Sequence, residues 1–103
     1  MNRVARVSQL IRQVIATILL REIRSDKVTM VSILYVDISP DFHNATVYYS
    51  VIGTHEECNK TQRFLRKMAP FIKGKLGRML SMRTVPNLRF RYKSYKDVGP
   101  HDG

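Results

Sequence analysis

From Arg3 to Arg24 the apolar residues Val4, Val7, Ile11, Val14, Ile15, Ile18 and Leu19 recur at three- and four-residue steps, with Arg6, Gln9, Gln13, Thr17 and Arg24 on the other side. That period predicts an amphipathic helix burying one stripe. Ser25-Asp26-Lys27 breaks the pattern, and Thr29 to Ser39 is then too dense in β-branched residues for a good helix, so a strand is expected there. Ser39-Pro40-Asp41 suits a tight turn, because proline presets φ at the second position and a short polar side chain caps the first. A second strand is expected from Ala45 to Ile52, with Ala45, Val47, Tyr49 and Val51 on one face.

Gly53 ends that strand, and Thr54-His55-Glu56-Glu57 has the T-x-x-E form of a capping box, in which hydroxyl and carboxylate satisfy the first free amides of a helix. The helix that starts there places Cys58, Thr61, Leu65 and Met68 on one stripe and Lys60, Arg63 and Lys67 in a basic row. Pro70 lacks a backbone donor and crowds the preceding turn, which predicts a kink or break near Met68 to Pro70. A third helix is expected from Phe71 to Met82, with Ile72, Leu76, Met79 and Leu80 inward and Lys73, Lys75 and Arg78 outward. After Pro86-Asn87, Leu88, Phe90 and Tyr92 alternate with Arg89, Arg91 and Lys93, so a last strand presents three cations about 7 Å apart. The order α-β-β-α-α-β with short connectors implies an α+β fold, helices packed on one face of a three-stranded sheet. Residues 1–103 read as one domain, with an ordered core of about 3–96 and a short tail over 97–103.

Charge changes the picture more than composition does. Residues 1–58 hold six basic and six acidic side chains, residues 59–96 hold twelve basic and no acidic ones, and Asp97 and Asp102 bring the total to the net +10. A solubilising surface interleaves both signs, so 38 residues without a carboxylate point to a polyanion-binding face. Lys60, Arg63, Lys67, Lys73, Lys75, Arg78, Arg89, Arg91 and Lys93 are the candidate phosphate contacts, along a surface made by the kinked helices and the last strand. Arg83, next to Val85-Pro86, has two open roles: touching the nucleic acid, or bridging the third helix to the loop.

The other function classes find little support. The lone Cys58 cannot form an internal disulfide, which fits a reducing compartment, and no apolar run approaches the roughly 20 residues of a spanning helix. The Arg-rich, amphipathic first 24 residues also suit a transit peptide, but removing them would strip the chain of its longest apolar stripe. His55-x-x-Cys58 lacks the partners of a structural zinc site, and neither a P-loop nor a nucleophile elbow is present, so no metal, cofactor or catalysis is expected. Tyr35, Tyr48, Tyr49 and Tyr92 could stack bases from a sheet, though no RNP-type string accompanies them. A generic nucleic-acid-binding architectural protein and a peripheral membrane protein remain as competing readings, the latter weakened by a first helix whose polar face carries few cations.

The element order resembles the type II KH domain, an RNA-binding fold. The residues are similar to the ribosome-binding factor A family: Arg3-Val4-Ala5-Arg6-Val7, Ser39-Pro40-Asp41-Phe42 leading into Ala45-Thr46-Val47-Tyr48, and above all Leu80-Ser81-Met82-Arg83-Thr84-Val85-Pro86-Asn87-Leu88-Arg89-Phe90. The R-x-x-P-x-L-x-F string of Arg83, Pro86, Leu88 and Phe90 is the most specific part, and the likeness is collinear from about Arg3 to Gly99. It departs where the family usually has an Ala-x-Gly interhelical kink and this chain has Met68-Ala69-Pro70. Gly74-Lys75-Leu76-Gly77 matches the KH phosphate-loop motif literally but falls inside the third helical pattern, where close helix packing is the favoured role. The resemblance implies a non-catalytic, cytoplasmic assembly factor that binds the immature small ribosomal subunit near the 3′ end of its rRNA. It further implies a part in a late maturation step and importance for growth in the cold. Monomer is the default oligomeric state.

Overall fold

The computed structural model describes residues 2–23 and 30–94. The expected break at Ser25-Asp26-Lys27, the start of the first expected strand and the tail over 97–103 lie outside them. The order is α1 (Arg3–Arg21), β1 (Val31–Ile38), β2 (Asn44–Val51), α2 (His55–Leu80) and β3 (Asn87–Tyr92). The strands form one sheet in the order β1-β2-β3, with β1 antiparallel and β3 parallel to β2. The α+β class and its element order match the sequence reading, with one correction inside the helical part.

That correction concerns Pro70. The two expected helices are one uninterrupted helix of 26 residues with Pro70 inside it. Proline in a helix interior costs about 3 kcal/mol and leaves the carbonyl four residues back, that of Arg66, without its helical donor. The helix persists because its buried stripe runs in register through the proline: Thr61 and Leu65 before it, Ile72 and Leu76 after it, with half-buried Met68 between. Burying each large aliphatic side chain returns about 1.5–3 kcal/mol, so the stripe offsets the local penalty. Pro70 itself lies on the exposed side. The capping box forms as expected: the Thr54 hydroxyl accepts from Glu57 N at 3.1 Å, and Thr54 N donates to Glu57 Oε1 at 2.7 Å.

Burial follows the predicted faces except at Met79 of α2 and at Tyr92, which alternates with Leu88 and Phe90 on the core side of β3 but is exposed at the strand's end. Ile11, Ile15, Ile18 and Leu19 of α1 and Leu65, Ile72 and Leu76 of α2 close over Ala45, Val47, Tyr49 and Val51 of β2. Met79, expected inward, is exposed, because the stripe ends at Leu76 and half-buried Leu80 while Met79 turns off it. In β1 the pairing with β2 shifts between Ile33 and Tyr35, so Leu34 is an extra residue. This bulge lets Ile33, Val36 and Ile38 all point into the core, and it turns Tyr35 outward beside Tyr48. At the hairpin, Phe42 N donates to Ser39 O at 2.8 Å and Phe42 has a φ of 63°. The Ser39 hydroxyl and His43 N both donate to Asp41, which holds that carboxyl below the usual carboxylate range.

The two glycines of the literal phosphate-loop motif sit inside α2 and play different parts. A Cβ on Gly77 would lie 2.7 Å from Val85 Cγ2, so Gly77 lets the helix seat against the loop entering β3; a Cβ on Gly74 would meet only Arg78 Nη1, at 3.6 Å. Gly77→Ala is therefore expected to lower unfolding stability by about 1–2 kcal/mol through overpacking, and Gly74→Ala to raise it by up to about 1 kcal/mol through helix propensity. Urea denaturation of the two variants checks both signs. Among the described residues the fully buried Tyr49 hydroxyl has no hydrogen-bond partner, and burial pushes its phenol up from the ordinary value. Tyr49→Phe is accordingly expected to raise stability by about 1 kcal/mol in the same measurement.

Candidate nucleic-acid interface

The acid-free segment folds into α2, the following loop and β3, and this topology sorts its cations into groups that spacing alone did not separate. Lys60, Arg63 and Lys67 project from α2 around half-buried Phe64, lining a shallow recess of about 360 Å³. Lys60 also lies 3.7 Å from Glu56 one turn earlier, an exposed pair of little energetic weight. A larger groove of about 550 Å³ runs between α2 and the edge strand β3, lined by Gln62, Arg66 and Ala69 on the helix and by Leu88 to Tyr92 on the strand. Because β2 takes one hydrogen-bonding edge of β3, the other edge faces away from the described sheet. Arg66, Arg89 and Arg91 are exposed and border this groove from both sides.

Arg66 is missing from the basic row that spacing picks out, which follows Lys60, Arg63 and Lys67 around the helix. Its signal is present in the chain all the same: Gln62, Arg66 and Ala69 form the adjacent row at four- and three-residue steps, ending in a residue small enough for β3 to approach.

The remaining candidates are placed elsewhere. Lys75 Nζ is 3.1 Å from Glu22 Oε1 and joins α2 to the C-terminal end of α1. Lys73 Nζ donates to Asn87 Oδ1 at 2.7 Å, tying α2 to the first residue of β3. Arg78 is exposed in the last turn of α2. Arg83 lies by the β1–β2 hairpin, in a cleft of about 430 Å³ with Arg3, Asp41, Phe42 and Met82. Lys93 sits just past β3, where its Nζ donates to Tyr35 Oη at 2.8 Å on the sheet face that the helices leave open. The structure thus sets Arg66 across the groove from Arg89 and Arg91, with Lys60, Arg63 and Lys67 in the recess on the same helix, while Lys73, Lys75 and Arg83 make contacts elsewhere and Lys93 turns onto the open sheet face beside Arg91.

The acids are arranged consistently with an anionic ligand for that group. Among the described residues, Glu22 pairs with Lys75, Glu56 with Lys60, Glu57 serves the capping box and Asp41 the hairpin turn. Asp37 is left exposed on β1, across the sheet from the groove. Among the described residues no carboxylate lines the groove or the recess. No group of three or more His, Cys, Asp or Glu side chains converges among the described residues, and no described helix is long and apolar enough to cross a membrane.

Comparison with known proteins bears on the family and the fold. A sequence model of the family described as Ribosome-binding factor A matches residues 3–99. The ribosome-binding factor A of Thioalkalivibrio sulfidiphilus is 32% identical over 98 residues, covering 95% of this chain and 76% of that protein. The crystal structure of ribosome-binding factor A from Thermus thermophilus superposes with a TM-score of 0.77 at 19% identity, covering 88% of this chain and 97% of the other. Coordinates of the Thermus thermophilus factor fitted into a cryo-electron-microscopy map of its complex with the 30S subunit superpose with a TM-score of 0.71, covering 85% of this chain and 92% of that one, also at 19% identity.

The placement of the cations separates two variants that composition treats alike. Arg66→Met is expected to weaken binding to a duplex RNA severalfold and to lower the log–log salt slope by about 1. Lys75→Met should cost much less affinity, its effect falling on stability through Glu22. Filter binding across a salt series, with thermal melts of both variants, reads the two effects apart.

Proposed function

The chain belongs to the ribosome-binding factor A family, and from that premise we propose that it is a non-catalytic assembly factor that binds the immature small ribosomal subunit through rRNA phosphates. The observation that carries this reading is the cationic groove between α2 and β3, with Arg66, Arg89 and Arg91 on its borders and Lys60, Arg63 and Lys67 beside it, free of lining carboxylates. Binding by the whole surface positions an RNA segment instead of reading its bases, because cations meeting phosphates carry no sequence information. Selectivity for one ribosomal site then comes from shape: the uninterrupted α2 is a continuous rail of about 39 Å, and only an RNA fold whose backbone follows both the rail and the β3 edge engages all of it.

In this reading the protein acts late, near the 3′ end of the small-subunit rRNA, in the cytoplasm. Its contribution is largest in the cold, when misfolded RNA helices exchange slowly and a scaffold of many weak phosphate contacts holds the correct arrangement long enough for it to mature.

Six cations around the groove and recess set the expected salt dependence. The log–log slope of affinity against salt on a duplex RNA is expected near about −5, and a slope near zero overturns the phosphate mechanism. In extracts resolved on sucrose gradients, the tagged protein should accumulate with free small subunits and be depleted from whole ribosomes. Equal retention on every rRNA-containing fraction would reduce the function to generic polyanion binding.

A further inference from the structure

The helices cover one face of the sheet, no described element packs on the other, and on that open face two tyrosines are already stacked. The β1 bulge places Tyr35 opposite Tyr48, with ring centroids 4.6 Å apart and planes 24° from parallel. Tyr35 is 40% exposed although it is a large aromatic side chain. Lys93 Nζ lies 5.4 Å from the Tyr35 ring centroid and 5.3 Å from that of Tyr48, and its hydrogen bond to Tyr35 Oη holds both groups in place. Arg91 pairs with Tyr48 across the β2–β3 register and Arg89 with Thr46, so the tyrosines adjoin the strand that borders the groove.

We infer that Tyr35 and Tyr48 form a stacking platform for an unpaired nucleobase of a single-stranded RNA segment, whose adjoining phosphates Arg91, Arg89 and Lys93 neutralise. A solvent-facing aromatic pair beside cations at strand spacing is the combination by which sheet surfaces hold single strands: each base offers a π face, and the cations follow the backbone. Charge favours RNA over a protein surface, since three cations face Asp37 as the one carboxylate on this side among the described residues. Protein-docking patches keep charge at the rim and an apolar centre, whereas here the charge stands against the rings themselves. The platform needs no rearrangement, because the bulge sets the ring stack and Lys93 fixes Tyr35.

The inference deepens the proposed function and rests on its RNA-binding reading, and the experiment keeps the two separable. The probe is a single-stranded RNA of about 12 nucleotides carrying one 2-aminopurine, whose fluorescence is quenched on stacking; the chain has no Trp to interfere. Wild-type protein is expected to quench it on binding. Tyr35→Leu and Tyr48→Leu should each abolish the quench and weaken binding about tenfold. Tyr35→Phe, which keeps the ring and loses the bond to Lys93, should retain the quench. Arg66→Met should weaken binding with the quench at saturation unchanged. Exposure of Tyr35 makes its variants safe for folding, and melting curves verify this. If Tyr35→Leu binds and quenches like wild type while Arg66→Met binds more weakly, the platform is refuted and the groove stands. If wild-type protein binds no RNA at low salt, both fall. If Tyr35→Leu leaves the oligonucleotide data intact but lowers retention on small subunits, the face contacts a ribosomal protein and the inference is overturned.

Discussion

Tyr49 and Val47 lie fully buried at the middle of the central strand, roofed by Ile11, Ile15 and Ile18 from one helix and by Leu65, Ile72 and Leu76 from the other. Burial on this single face constrains everything else. It fixes strand register, since a one-residue slip would turn Ala45, Val47 and Tyr49 to solvent. It also requires α1 and α2 to lie side by side, which brings Glu22 and Lys75 together. And it leaves one side of α2, the far edge of β3 and the whole outer sheet face without apolar work, so those surfaces are where charge and exposed tyrosines accumulate.

Pro70 shows how that constraint overrides a local rule. A proline inside a helical pattern predicts a break, and the rule fails here because the stripe from Thr61 to Leu76 keeps helical register on both sides of it. Continuity matters for the site. A break after Ala69 would free Arg66 and Gln62 from the orientation set by Ile72 and Leu76, and the groove with β3 would lose a defined wall.

Much of this was legible in the residues alone. The α1 stripe, the β2 alternation, the Thr54–Glu57 capping box and the α+β order all arise from local periodicity or from groups three residues apart, which a linear reading samples directly. What escaped it depends on distant partners. Nothing near Lys75 announces Glu22, and nothing near Lys93 announces Tyr35, so a spacing argument assigned both lysines to one surface. The Leu34 bulge is equally silent, because Ile33-Leu34-Tyr35-Val36 offers no charged residue to mark which face each position takes. Arg66 stood in the acid-free segment throughout, but choosing its row over the neighbouring one required knowing where β3 docks. The same holds for Met79, which has the right spacing for the core and lies past the point where α2 has anything left to cover.

The parallel pairing of β2 with β3 has a consequence for how the molecule is built. Antiparallel β1 and β2 close through a short hairpin, but β3 can reach β2 only after the entire length of α2 has traversed the sheet. Contacts of such long sequence separation form late, since chain closure must precede any gain from pairing. A chain still emerging during synthesis therefore exposes the Lys60–Arg63–Lys67 row before it owns a groove, and the two walls meet only when the last strand is home. Completion of the fold and completion of the cationic groove are one event, so a partly made copy presents charge without the shape that would make it selective.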